Sequence, residues 1–182
     1  MVPVALDPAA LAIAVAGQGP AAMRRFQALR AAGASDLKWF TDQPGELRAA
    51  GGTALRPWLP DRSDLFGLRV LWIVGLPDDT ASSLAALARS ERVLVNVEDR
   101  PEQCDFHSVA EVRRGELLLT VSTGGASPAL AARLRARLAA EFGPEWADRL
   151  ALLREHRVAW RGQGRDAAAL TDALLRTSGW LA

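Results

Sequence analysis

Three short stretches of this sequence combine residues able to do chemistry. They are a glycine loop at Gly17–Ala22, an aspartate in the turn Asp99-Arg100-Pro101, and the run Ser122-Thr123-Gly124-Gly125. The first reads Gly17-Gln18-Gly19-Pro20-Ala21-Ala22, a G-x-G-x-x-A element. Such a loop holds a dinucleotide when it follows a strand and opens a helix. Its first glycine permits a tight turn, its second lets a pyrophosphate approach the backbone, and a small third residue lets helix and strand pack closely. The helix N-terminus supplies N–H donors and the positive end of a dipole. A purely structural turn would use the same glycines. The third stretch also places glycines before a helix start, where exposed N–H groups favour an anion.

The flanking pattern decides which reading the loop receives. Leu11–Ala16 is a short apolar run, and Pro20–Ala32 carries Met23, Phe26 and Leu29 at helical spacing before Gly33. Strands are further predicted at Leu37–Phe40, Thr53–Arg56, Val70–Val74 and Val93–Val97, with a helix over Ala81–Arg89. Strands alternating with helices imply a parallel sheet with right-handed crossovers, a Rossmann-like α/β domain. The loop then lies where NAD would bind, through Gly17, Gly19, Pro20, Ala21 and Ala22. Asp42, 25 residues after Gly17, is the acid able to grip the ribose 2′-hydroxyl, or else an ordinary surface acid. No arginine directly follows the second strand, which predicts NAD rather than NADP.

After Asp99 the pattern changes. Residues 100–116 read as polar and irregular, and Leu117–Thr123 as a strand entering the glycine pair. Ser127-Pro128 is an N-cap with a proline at the first helical position. Behind it Leu130, Leu134 and Leu138 recur on one helical face, and Phe142-Gly143-Pro144 ends the helix. Two amphipathic helices follow, over Glu145–Arg161 and Asp166–Thr177. The predicted organisation is a Rossmann-like domain over 1–111, a dimerisation segment over 112–143 and a small helical C-terminal domain over 144–182.

Composition narrows the classes of partner. The 182 residues are 49% hydrophobic, enough for a real core, yet no run of 18 apolar residues suggests a membrane span. With 22 basic against 21 acidic residues there is no global field for nucleic acid or anionic lipid. The N-terminus lacks the pattern of a secretory signal, and the single cysteine, Cys104, points to a reducing cytoplasm. Cys104 and His107 are too few ligands for a metal site. Packing is the expected role of Cys104, His107 is a candidate proton shuttle, and His156 receives no role.

The segment Val93–His107, VLVNVEDRPEQCDFH, then Arg114-Gly115, then LLLTVSTGGASPALAARLRARL, resembles the precorrin-2 dehydrogenase/sirohydrochlorin ferrochelatase family. The pattern N-V-x-D…C-D-F…R-G…S-T-G-G-x-S-P-x-L-A-x-x-L-R spans roughly 93–138, and with the glycine loop and Arg24-Arg25 the resemblance covers about three quarters of the chain. It implies oxidation of precorrin-2 to sirohydrochlorin by hydride transfer to NAD⁺, with Fe²⁺ as a second substrate in many members. It also implies an intertwined homodimer. The family's aspartate falls on Asp99, which would act as general base and receive pyrrole protons during metal insertion. Ser122 matches a family serine that faces the active site. The tetrapyrrole bears eight carboxylates, so Ser122, Thr123, Gly124 and Gly125 are candidate substrate ligands, with Arg113, Arg114, Arg133 and Arg137 as carboxylate partners. Without the resemblance Asp99 would be a turn residue.

Departures cluster near the dinucleotide. Gln18 stands where the family has a further glycine, Gly75-Leu76-Pro77-Asp78 replaces an A-T-D-D-like turn, and His107-Ser108-Val109 follows C-D-F where proline is common. Three outcomes stay open: dehydrogenase with chelatase, dehydrogenase alone, or a non-catalytic dinucleotide- or tetrapyrrole-binding module.

Overall fold

The computed structural model describes residues 2–45 and 47–181. The chain divides into two compact units between Ser108 and Val109. The first is a five-stranded sheet built from β1 (Ala12–Gly17), β2 (Asp36–Phe40), β3 (Leu55–Arg56), β4 (Val70–Val74) and β5 (Leu94–Val97). Their order is β3-β2-β1-β4-β5 and every pairing is parallel. The helices are α1 (Gly19–Ala31), two short ones, α2 (Leu47–Gly51) and α3 (Arg62–Leu65), and α4 (Asp78–Ser90). This is the Rossmann-like arrangement expected from the alternation.

Side-chain alternation along the strands fills two apolar layers. Ile13, Val15, Trp39, Val70 and Trp72 pack with Phe26 of α1 on one face. Ala14, Ala16, Phe40, Leu71, Ile73, Val95 and Val97 pack with Leu84 and Ala88 of α4 on the other. All five residues of β4 are buried, as a parallel strand covered on both faces requires.

The sheet ends at β5, and the C-D-F segment lies along its open side. Asp105 N–H donates to Val95 O at 2.8 Å, and Asp105 Oδ2 accepts from Val95 N–H at 2.9 Å. Cys104 Sγ accepts from Val97 N–H at 3.3 Å and lies 3.2 Å from Val97 O. Asn96 Nδ2 donates to Phe106 O at 2.8 Å, and the Phe106 ring meets Trp72 edge-on. Cys104 and Asp105 thus satisfy backbone groups that a sixth strand would otherwise take, while Phe106 pairs with the Asn96 side chain.

Burial pushes the Cys104 thiol pKa up. A raised folded-state value means stability is fully present below the ordinary thiol range, about 8.5, and is lost as pH rises through the folded value. Urea melts should therefore show stability falling above that range. Cys104→Ser keeps a donor and acceptor without titrating there, and should flatten the decline.

The second unit opens with a hairpin, β6 (Ala110–Arg114) and β7 (Leu117–Val121), paired antiparallel. β6 falls in the stretch read as irregular. Only Val112 of its five residues is buried, so no run of apolar residues betrays it. Helices α5 (Pro128–Glu141), α6 (Trp146–Gly162) and α7 (Ala167–Ser178) follow. Ser127 Oγ caps α5 by accepting from Leu130 N–H at 3.2 Å. Trp146 packs against Phe142 and Trp180, with Arg149 over both indoles. No residue of α5 is buried in this chain, and Leu130 and Leu134 are 49% and 40% exposed. Among the described residues, no helix is long and apolar enough to cross a membrane.

Candidate cofactor and active site

Because all strands of the sheet run the same way, their C-terminal ends share one edge, where open α/β sheets bind ligands. Gly17 registers with Val74, and Ile73 with Val97. The loops leaving β1, β4 and β5 therefore emerge side by side from three adjacent strands, which span roughly 10 Å at about 4.8 Å per step.

The β1 and β4 loops touch through their glycines. A Cβ on Gly17 would lie 1.8 Å from Val74 O, and one on Gly75 would lie 2.7 Å from Gln18 O. Gln18 N–H donates to Val74 O at 3.2 Å, and Trp39 Nε1–H donates to Gly17 O at 3.1 Å from below. Gly75 thus answers to backbone crowding, which accounts for one departure noted in the sequence. Gly19 differs: it sits at φ +74, and a Cβ there would meet nothing within 4 Å. Pro20 follows it in the first turn of α1, no side chain caps that turn, and Gln18 Oε1 is buried without a hydrogen-bond partner. Open space before an uncapped helix start fits a dinucleotide pyrophosphate, with the Gly19 and Ala21 N–H groups outside the helix ladder, whereas Ala22 is buried one turn in and serves packing. Asp42 is exposed two residues beyond β2, on the same edge.

Asp99 sits in a four-residue turn closed by Arg100 N–H donating to Val97 O at 3.2 Å. Its φ is +59, in the left-handed region that Asp and Asn enter more readily than most residues. Arg100 ties the turn to the start of α4, donating to Asp78 O at 3.4 Å and pairing with the Asp78 carboxylate. Between Gly75-Leu76 and Val97–Arg100 lies an open cleft of about 210 Å³ that Asp99 lines. Sites that enclose whole small ligands are larger, about 300–1,000 Å³, so this cleft takes part of a ligand. Glycine loop and carboxylate are therefore on one edge of one unit.

The remaining candidates lie in the second unit. Ser122 is exposed, with Oγ accepting from Gly124 N–H at 3.2 Å. Thr123 Oγ1 donates to Ser127 O and accepts from Ser127 N–H, closing the loop ahead of α5. Gly124 and Gly125 have φ +62 and +85. The four arginines separate into two kinds. Arg113 forks onto Glu111 through Nε and Nη2. Arg114 donates to the carbonyls of Phe142, Ala139 and Arg113, holding the C-terminal end of α5. Arg133 and Arg137 are exposed on α5. Charge alone could not separate them, because the partners of Arg114 lie 25 and 28 residues away. Among the described residues no three His, Cys, Asp or Glu side chains cluster as a metal site.

Residues 4–110 match the family described as "Putative NAD(P)-binding". The chain belongs to this NAD(P)-binding family. Residues 114–141 of the same family member match a second model, described as the central part of sirohaem biosynthesis proteins. Its relatives include the siroheme synthase of Methylococcus capsulatus, 36% identical over 129 residues, 68% of this chain and 27% of that protein. The siroheme synthase of Thioalkalivibrio sulfidiphilus is 35% identical over 145 residues, 78% of this chain and 29% of that one. The chain thus spans well under a third of these relatives. A solved structure, "SirC, precorrin-2 dehydrogenase", superposes with a TM-score of 0.76 at 20% identity, covering 100% of this chain and 93% of that one. That likeness extends the shared fold through the second unit.

Proposed function

We propose that this chain oxidises precorrin-2 to sirohydrochlorin in siroheme biosynthesis, with NAD⁺ as hydride acceptor. The observation that carries the reading is the pairing of an NAD(P)-binding match over 4–110 with a sirohaem-biosynthesis match over 114–141, in one chain. NAD⁺, when bound, supplies the sink for the two electrons removed from the macrocycle. The Asp99 carboxylate takes the proton lost from the carbon neighbouring the hydride donor. Gly17 brings the chain into the turn, and Gly19 leaves the pyrophosphate its space. Asp42 holds the adenosine ribose. Ser122–Gly125 receive substrate carboxylates, together with Arg133 and Arg137. Arg113 and Arg114, engaged within their own unit, are assigned to structure instead. Fe²⁺ is a second substrate, entering among the nitrogens of the macrocycle, with Asp99 receiving the displaced protons.

Anaerobic incubation with precorrin-2 and NAD⁺, followed by Fe²⁺, tests the whole reading. Sirohydrochlorin should form only with the dinucleotide present, and siroheme should form faster than in protein-free controls. Turnover without iron insertion would restrict the chain to dehydrogenation. Absence of both would leave a binding module.

We also infer a homodimer in which α5 packs against the partner. Helix α5 packs on β6 and β7, yet none of its residues is buried and Leu130 and Leu134 stay exposed, so that apolar face lacks cover within the chain. Light scattering at micromolar concentration should return twice the chain mass; a monomer removes the inference.

A further inference from the structure

Asp99 stands in a backbone conformation that does not hold itself. Its φ of +59 lies in the left-handed region, where a residue with a side chain persists only if its surroundings fix it. Ahead of it, Glu98 N–H donates to Ile73 O at 2.9 Å and ties the turn to β4. Behind it, the backbone of Arg100 holds the turn: its N–H closes on Val97 O, and its carbonyl accepts from Gln103 N–H at 3.0 Å, with Cys104 Sγ 3.1 Å away. The Arg100 guanidinium then crosses to the start of α4, donating to Asp78 O at 3.4 Å and pairing with the Asp78 carboxylate. With a side chain only 20% exposed, Arg100 is not a freely moving surface group. The cleft that Asp99 lines lies between Gly75-Leu76 and Val97–Arg100, and Asp78 continues the first of these walls through Pro77. One residue therefore bridges both walls of the cleft beside the carboxylate.

We propose that Arg100 is a positioning residue of the reaction: its bridge to Asp78 fixes the separation of the cleft walls and so aims the Asp99 carboxylate at the substrate carbon. The inference rests on the assignment of Asp99 as general base above. A planar guanidinium serves a backbone carbonyl and a carboxylate from one fork, which restrains direction as well as distance. Arg100 touches no reacting atom in this account. It acts through Asp99, and its worth should vanish when the Asp99 carboxylate is gone.

Steady-state kinetics of the full chain with precorrin-2 and NAD⁺, arranged as a double-mutant cycle with Asp99, test this. Arg100→Met keeps the apolar stem and loses the charged head. It should lower kcat about 10- to 100-fold, the scale of a small misplacement, with KM for NAD⁺ within twofold of the parent. In an Asp99→Asn background the same substitution should change kcat less than twofold, because no proton acceptor is left to aim. Asp78→Ala should slow the parent in the same direction. Arg100→Lys, with the charge but without the planar fork, should recover part of the rate. Should Arg100→Met fail to fold, Asp78→Ala in the two backgrounds carries the same comparison. An equal loss in both backgrounds would mean a merely structural bridge and overturns the inference. Parent-like turnover by Arg100→Met overturns it too, as does a raised KM for precorrin-2 at the parent kcat, which would make Arg100 a substrate ligand. In each of these cases the dehydrogenase reading stands. A parent that does not turn over precorrin-2 overturns that reading and the inference together.

Discussion

Asp99→Asn is expected to slow precorrin-2 dehydrogenation by about 10²–10⁴-fold, the usual worth of a general base, while NAD⁺ still binds as in the parent. The substitution isolates the proton acceptor for a structural reason. Asp99 occupies a left-handed conformation at φ +59, and asparagine enters that region as readily as aspartate does. The turn closed by Arg100 N–H on Val97 O therefore survives, and so does the Arg100 contact with Asp78. Alanine would be a poorer probe, since it adds roughly 1–2 kcal/mol of backbone strain to the loss of the carboxylate. Iron insertion into preformed sirohydrochlorin should fall in parallel, after subtraction of the uncatalysed rate. Loss of one activity alone would divide the two roles and make His107 the next residue to replace. Full activity in both assays would remove Asp99 from the mechanism.

The glycine loop should break in two different ways, depending on which glycine is changed. Gly17→Ala forces a Cβ to within 1.8 Å of Val74 O, and the obstacle is the backbone of the neighbouring strand β4, buried on both faces. Neither strand can retreat without uncoupling β1 from β4, so a loss of about 3–5 kcal/mol is expected, much of the stability of an ordinary domain. Urea denaturation should show it without any ligand present. Gly19→Val meets no protein atom, and only its φ of +74 opposes the side chain. That strain costs about 1–3 kcal/mol, so the variant should fold. Its side chain would stand where the pyrophosphate lies, and NAD⁺ titration should show no saturable binding. Parent-like binding by Gly19→Val would mean that the dinucleotide does not use this loop.

These contrasts show which parts of the molecule could be read without coordinates. Parallel strands buried on both faces leave continuous apolar runs, so Val70–Val74 and the strand ahead of Gly17 were legible, as was the helix that Phe26 anchors. The hairpin strand Ala110–Arg114 was not. Its single buried residue, Val112, leaves no periodic signal, and the Gly115 turn at φ +57 was the better clue. The short helix Arg62–Leu65 was equally silent in its apolar residues, though Asp61 and Asp64 form a capping box around it. The candidate site divides along the same line. Glycines and the Asp99 turn are local features and can be read from neighbours in sequence. Arg114 could be understood only through carbonyls brought to it by the fold, and Asp105 only through the strand beside it.

The segment lying along β5 has a consequence for how the protein behaves at high concentration. An uncovered strand reading Leu94-Val95-Asn96-Val97 would be a template for another chain, being apolar, β-prone and free of charge. Asp105 occupies the Val95 amide with a carboxylate, and Cys104 occupies the Val97 amide with sulfur. The opposite margin of the sheet, β3, is only two residues long. Copies of this unit therefore have no free ladder through which to stack into fibrils. Changes that peel residues 104–106 away, such as removal of the carboxylate in Asp105→Ala, would turn the best-formed edge of the fold into its first site of aggregation.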